Sequence, residues 1–197
     1  MTLGERRSGE STVQKHEEMQ GMSWGRFAAM IATSVAVMFL LMYHLVYSPE
    51  HLTFSINRLV ASVLMGAIMT IVMLAFMWSM YRGPKVKIGI LVIAAALAAA
   101  LLFVNRSQQL VDDRAFMKAM IPHHSIAINN ARKADISDPR VRELADQIIE
   151  SQVREIREMQ LLLDDIERNG ERGDRRLQAR PAALTLELES KARDVLK

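Results

Sequence analysis

Charged residues vanish from the chain in three long stretches and return in force after them. Between Arg26 and Glu50, 23 residues pass without an Asp, Glu, Lys or Arg, and between Arg58 and Arg82 another 23 do so. A third uncharged run covers positions 88–105, with Lys85 and Lys87 just before it. A bilayer core of roughly 30 Å takes about 20 helical residues. Two runs clear that length, and the third reaches it by snorkelling of its lysines. The pattern predicts membrane-crossing helices over 24–47, 58–81 and 86–104. Trp24, Tyr43, Tyr47, Trp78 and Tyr81 fall at the predicted interfaces, where amphipathic rings are favoured. The first run does not read as a cleaved signal peptide: it follows a polar stretch, is longer than an h-region and lacks a small-x-small site. Residues 1–23 read as a polar, poorly ordered tail.

After position 105 the period changes. Phe116, Met120, Ala127, Ala131 and Ala134 follow a helical repeat within a predicted helix from Gln108 to Ala134. Asp138-Pro139 reads as an N-cap followed by proline at the first helical position. The helix it starts carries Val141, Leu144, Ile148, Ile156, Met159, Leu162, Leu163 and Ile166 on one side and stops at Asn169-Gly170. The expected organisation is therefore a tail (1–23), a three-helix transmembrane region (24–105), a helical hairpin (106–170), and a charged linker with a short C-terminal helix (171–197). The fold class is all-α. A hairpin of this size buries too little surface to stand comfortably alone. A second copy would complete a four-helix bundle, so a homodimer or higher homo-oligomer is expected.

Charge refines the topology. Arg6, Arg7, Lys15 and Arg26 precede the first span and Arg82, Lys85 and Lys87 fill the second loop, against Arg58 alone in the first. The positive-inside rule then puts the N-terminus in the cytoplasm and everything after the third span outside. The expected location is a cell inner or plasma membrane, crossed several times, with a periplasmic or extracellular C-terminal domain. From Arg106 onward 17 basic residues balance 17 acidic ones, so the overall excess of 25 over 22 lies in the membrane half. The lipid bilayer, not nucleic acid, is the partner that this charge pattern predicts. The chain has no cysteine, which excludes disulfides and thiolate ligands.

The chemistry gathers on the hairpin. Met120 precedes His123 and His124 by three and four residues, so it neighbours both on a helix. Adjacent histidines diverge by about 100° around the axis, and Pro122 is expected to bend the helix and bring the rings together. On the opposing helix Gln152, Glu155 and Met159 form one stripe, and counting outward from the turn near Ser137 sets His123 and His124 level with Ser151 and Gln152, with Glu155 and Met120 level one turn further on. Imidazoles, a carboxylate and thioethers at that spacing fit a transition-metal site. Satisfied or solvated histidines are the bland alternative. Asp113 reads as a capping or polar-network residue. Met65, Met69, Met73 and Met77 form a stripe on the second span that reads as packing filler. His44, an ionisable residue near a span's outer end, is an accessory candidate.

The runs Asp113-Arg-Ala-Phe116-Met-Lys-Ala-Met120-Ile-Pro-His123-His124 and Asp138-Pro-Arg-Val-Arg-Glu-Leu144 through Gln152, Glu155 and Met159 resemble the domain of unknown function 305 family, DUF305. The resemblance covers residues 110–168. It implies a ferritin-like fold, a periplasmic or membrane-anchored setting and copper as the metal, with Met120, His123, His124, Gln152, Glu155 and Met159 as the carried-over positions. One departure stands out. Many members place methionine seven residues after the first histidine, where this chain has Asn130, so one thioether is missing from the implied set.

The expected function is binding of copper, or of zinc or another transition metal, at the outer membrane face, with a role in metal homeostasis or tolerance implied by the resemblance alone. Two alternatives stand beside it. One is a structural dimerisation module without metal. The other is a ferritin-like metal-dependent oxidase, but the Glu-x-x-His motif of such sites occurs nowhere in the chain, and neither does His-Glu-x-x-His. Enzymatic activity is thus the weaker expectation.

Overall fold

The computed structural model describes residues 23–196. The expected N-terminal tail lies outside the described residues, apart from Ser23. Among the described residues the secondary structure is entirely helical, with six α-helices: α1 (Trp24–Leu41), α2 (Ile56–Phe76), α3 (Pro84–Ser107), α4 (Asp113–Lys133), α5 (Pro139–Asn169) and α6 (Leu186–Arg193). Two compact units emerge. Unit 1 takes the residues up to His44 together with Ser55–Asp112; unit 2 takes Leu45–Phe54 together with the residues from Asp113 on.

In unit 1 the three predicted spans are present, and all three helices are long and apolar enough to cross a membrane. Each start has a local cause. Ser23 Oγ accepts from Gly25 N–H, and Ser55 Oγ accepts from Arg58 N–H. Pro84 opens α3 behind Gly83, whose φ of 86° suits a residue without a Cβ. The helix α2 packs against both α1 and α3. At Gly66 α1 comes close, since a Cβ there would meet Val35 Cγ2 at 2.3 Å. Ser62, fully buried on the same helix, returns its hydroxyl to the Arg58 carbonyl at 2.8 Å. At one end of this unit Phe27, Leu74 and Tyr81 form a buried cluster, with Trp24 stacked on Tyr81 at 4.7 Å. Met73 and Met77 pack against that cluster, which is the filler role expected of them.

The first span is shorter than its uncharged run. The expected helix to 47 ends at Leu41, followed by two tight turns in which Tyr43 and His44 N–H bond back to Leu40 and Leu41. A polar group from the next helix meets the chain at this point. The Arg58 guanidinium donates to the Met42 carbonyl and lies over the Tyr43 ring, 4.3 Å from its centroid. A helix-terminal carbonyl lacks an internal donor, and this arginine supplies one. The residues released from the helix, from Leu45 on, belong to unit 2.

Unit 2 is built on the hairpin of α4 and α5. Asp138 caps α5 as its sequence predicts, accepting from Arg140 N–H at 2.9 Å with Pro139 in the first position. Its carboxyl is held below the usual aspartate range by the hydrogen bonds from Arg140. The end is as expected too: Gly170, at φ 79°, closes on the Ile166 carbonyl. The hairpin core consists of Met117, Ile121, Ile128, Ile156 and Met159, with Met120, Ile149, Leu163 and Ile166 packed around it. The long apolar side of α5 divides: Ile156, Met159, Leu163 and Ile166 turn to this core, while Val141, Leu144, Ile148 and Leu162 stay exposed.

Candidate metal site and its clasp

The helix α4 is buried along two neighbouring stripes. Met117, Ile121, His124 and Ile128, spaced by four, three and four, form the first. His124 is thereby drawn into the hairpin and only 9 % exposed. Its imidazole is held at both nitrogens. Nδ1–H donates to the Met120 carbonyl one turn back at 2.9 Å, and Nε2 lies 2.7 Å from Glu155 Oε2 across the hairpin. The Glu155 side chain keeps 38 % of its surface exposed, against 11 % for His124, so the pair opens to solvent on the carboxylate side.

Donor and acceptor roles constrain this arrangement. A carbonyl and an ionised carboxylate are both acceptors, and a neutral imidazole offers only one N–H. Nε2 and Oε2 bring two electron-pair donors to one point. A cation placed there would be held by those same two atoms. An imidazole whose second nitrogen is anchored to a backbone carbonyl is also the usual arrangement of a metal-ligating histidine. The softer donors belong to the same hairpin: Met159, four residues after Glu155, is a member of the core cluster, and Met120, four residues before His124, packs against it. Imidazole, carboxylate and thioether together make a donor set that fits a soft or borderline transition ion.

The other sequence candidates are placed differently. His123 is exposed, its ring 5.9 Å from that of His124 and steeply inclined at 68°. The helix runs unbroken through Pro122, so the two rings diverge much as an ideal helix dictates. Gln152 is half-buried, with its amide 3.4 Å from Ser151 Oγ. Asp113 is exposed in the first turn of α4, where a negative charge suits the helix dipole, and Asn130 is exposed on the same helix. His44 belongs to unit 1, where its Nδ1–H donates to the Leu41 carbonyl. Among the described residues no three His, Cys, Asp or Glu side chains converge. Any site here is thus completed by groups outside that set, which is the place the thioethers would take.

The second buried stripe of α4 holds Pro122, Ser125 and Asn129, and the segment Leu45–Phe54 lies along it. Tyr47 N–H donates to Ser125 Oγ at 2.8 Å, and His51 Nδ1 lies 2.8 Å from the same oxygen. Thr53 Oγ1 donates to the Lys118 carbonyl. That carbonyl is free because the residue four positions on is Pro122, which has no N–H to offer. Arg132 donates to the Tyr47 hydroxyl. Ser125, Thr53 and Arg132 did not stand out in the sequence, and Tyr47 did so only as an interface aromatic. The one available signal was the proline inside a helical pattern, which implies an orphaned carbonyl four residues back.

The second half of the chain also has known relatives. Residues 98–178 match the family described as a domain of unknown function, DUF305. The DUF305 segment thus includes the last turns of α3, all of α4 and α5, and the start of the charged linker. An uncharacterized protein of Acanthamoeba polyphaga mimivirus is 38 % identical over 77 residues, a stretch that is 38 % of this chain and 51 % of the viral protein. The chain spans about half the length of that relative. No solved structure matches.

Proposed function

We propose that this protein binds a transition-metal ion, copper being the best match, on a DUF305 hairpin carried by three membrane spans. The observation that carries the reading is the His124–Glu155 pair, 2.7 Å apart, with the second imidazole nitrogen anchored and two methionines in the adjoining core. Thioethers beside an imidazole favour Cu(I), while zinc would rely on the imidazole and carboxylate. The basic residues around the spans favour a cytoplasmic N-terminus and an external hairpin. The exposed Val141, Leu144, Ile148 and Leu162 give a second copy a face on which to complete a four-helix bundle. A ferritin-like fold and a part in metal tolerance belong to the same reading.

The test is a competition titration of the full-length protein in nanodiscs with Cu(I), Cu(II) and Zn(II). His124→Ala is expected to cost more than about a hundredfold in affinity, beyond the range typical of groups that only support a ligand. Exposed His123→Ala should cost about tenfold or less. Equal affinity in wild type and His124→Ala would overturn the reading. A purely structural role has one observation in its favour, since both nitrogens of His124 already have protein partners. That role predicts a loss of stability in His124→Ala with no metal uptake by the wild type.

A further inference from the structure

Ser125 has no exposed surface, stands next to His124 in the chain, and takes no part in the proposed metal site. Its hydroxyl is used by a segment that arrives from 74 to 78 residues away. The contacts of that segment with α4 fall at Lys118, Ser125 and Arg132, seven residues apart each time, so they lie on one line along the helix. A connection between two spans needs no such line, because loop backbone at a surface is satisfied by water. Here a backbone N–H is committed to a buried hydroxyl, and a side-chain hydroxyl fills the carbonyl that Pro122 leaves open.

We infer that Leu45–Phe54 is a clasp that fixes the rotation of α4 and so presents His124 to Glu155, with Ser125 and Thr53 as positioning residues. Neighbouring residues on a helix point about 100° apart, so the clasp holds α4 by one side chain while α5 meets the next. With side-chain tips some 5–6 Å from the helix axis, a rotation of about 20° moves them by about 2 Å. That is enough to break a 2.7 Å contact between Nε2 and Oε2. The purpose given to the clasp rests on the metal reading; its hold on the imidazole does not.

The experiment uses the full chain in nanodiscs, labelled with ¹⁵N, and compares wild type with Thr53→Val, Thr53→Ser and Ser125→Ala. Three readouts are taken: exchange of the Tyr47 amide proton, the imidazole ¹⁵N signals of His124, and copper affinity by competition. Thr53→Val keeps the shape and removes the donor, while Thr53→Ser keeps the donor. Thr53→Val and Ser125→Ala should release the Tyr47 amide, move the His124 signals away from their paired positions and weaken copper binding about tenfold, the low end for groups that orient a ligand. Thr53→Ser should keep all three at the wild-type level. Release of the Tyr47 amide with unchanged His124 signals would overturn the clasp. So would an amide that exchanges freely in the wild type. A wild type that takes up no metal, but whose His124 signals still follow the clasp, would remove the metal reading and leave the positioning intact.

Discussion

The two units are both helical, yet their helices meet through different side chains. Midway along the helices of unit 1 the buried residues include Ser62, Gly66, Ala67 and Ala94, apart from the Phe27, Leu74 and Tyr81 cluster at one end, whereas the hairpin of unit 2 buries Met117, Ile121, Ile128, Ile156 and Met159. Water explains the second set: removing large apolar side chains from it is the main stabilising force available to a hairpin. Helices apolar enough to sit in lipid gain little that way, because the hydrocarbon around them is as apolar as their own leucines. Close backbone approach over small residues takes its place. Large apolar residues of unit 1, such as Phe76, Ile93 and Phe103, are accordingly among the exposed ones. The same residue type therefore means different things in the two units. Ile93 of unit 1 is exposed, for example, whereas Ile121 of unit 2 is core.

The sharpest way to break that comparison is to truncate the hairpin core. Ile121 is 1 % exposed and central to it, so Ile121→Ala should cost about 2–5 kcal/mol. Hydrogen exchange resolved by segment would show the loss in α4 and α5. A cost under about 1 kcal/mol would mean that burial of this cluster is not what holds the hairpin together.

The opposite substitution probes unit 1. Gly66→Ala adds a methyl where Val35 Cγ2 already stands 2.3 Å from the Cβ position. Overpacking of this kind costs about 1–3 kcal/mol. Because the obstacle is one side chain, Val35→Ala in the same molecule should recover most of the loss, and thermal unfolding in nanodiscs gives the double-mutant cycle. Additive losses would show that α1 and α2 are not in register at these residues.

The same contrast decides what could be read from the sequence. The three spans and the cap of α5 were legible because each depends on local facts: the length of an uncharged run, or Asp138 immediately before Pro139. The end of the first span was not, since Tyr43 to Tyr47 are as uncharged as the helix before them, and the group that satisfies the Met42 carbonyl there is Arg58 from the next helix. In the site, counting from the turn set Glu155 beside Met120, one turn beyond the histidines, whereas the structure pairs it with His124; the matched family covers both residues. The split between buried His124 and exposed His123 did not follow, because it depends on which side of α4 meets α5 and not on the spacing of the two residues. The clasp was beyond reach. Ser125 and Tyr47 are 78 residues apart, and nothing local to either marks the other.

Protonation offers the mildest test, and it separates the units without changing a core residue. His51 lies in the clasp, where burial makes a charged imidazole costly and holds its pKa below 6.5, with neighbouring Glu50 offsetting part of the effect. In the neutral form the hydrogen bonds run one way, from Tyr47 N–H to Ser125 Oγ and from the Ser125 hydroxyl to unprotonated Nδ1. An unfolded chain takes up a proton on this residue near 6.5, and the folded one only at lower pH. Between those two values the unfolded state binds more protons, so stability drops as the pH is lowered through that window. The contribution of neutral His51 is fully present above 6.5 and is gone once the pH has dropped through the folded value. Exchange at the Tyr47 amide, corrected for its intrinsic pH dependence, should therefore quicken between pH 7.5 and 5 by a few-fold at most. His51→Gln cannot titrate, and in it the corrected rate should be flat. An equal acceleration in both proteins would place the titrating group elsewhere, and no change in the wild type would mean that His51 does not hold the clasp through its neutral ring.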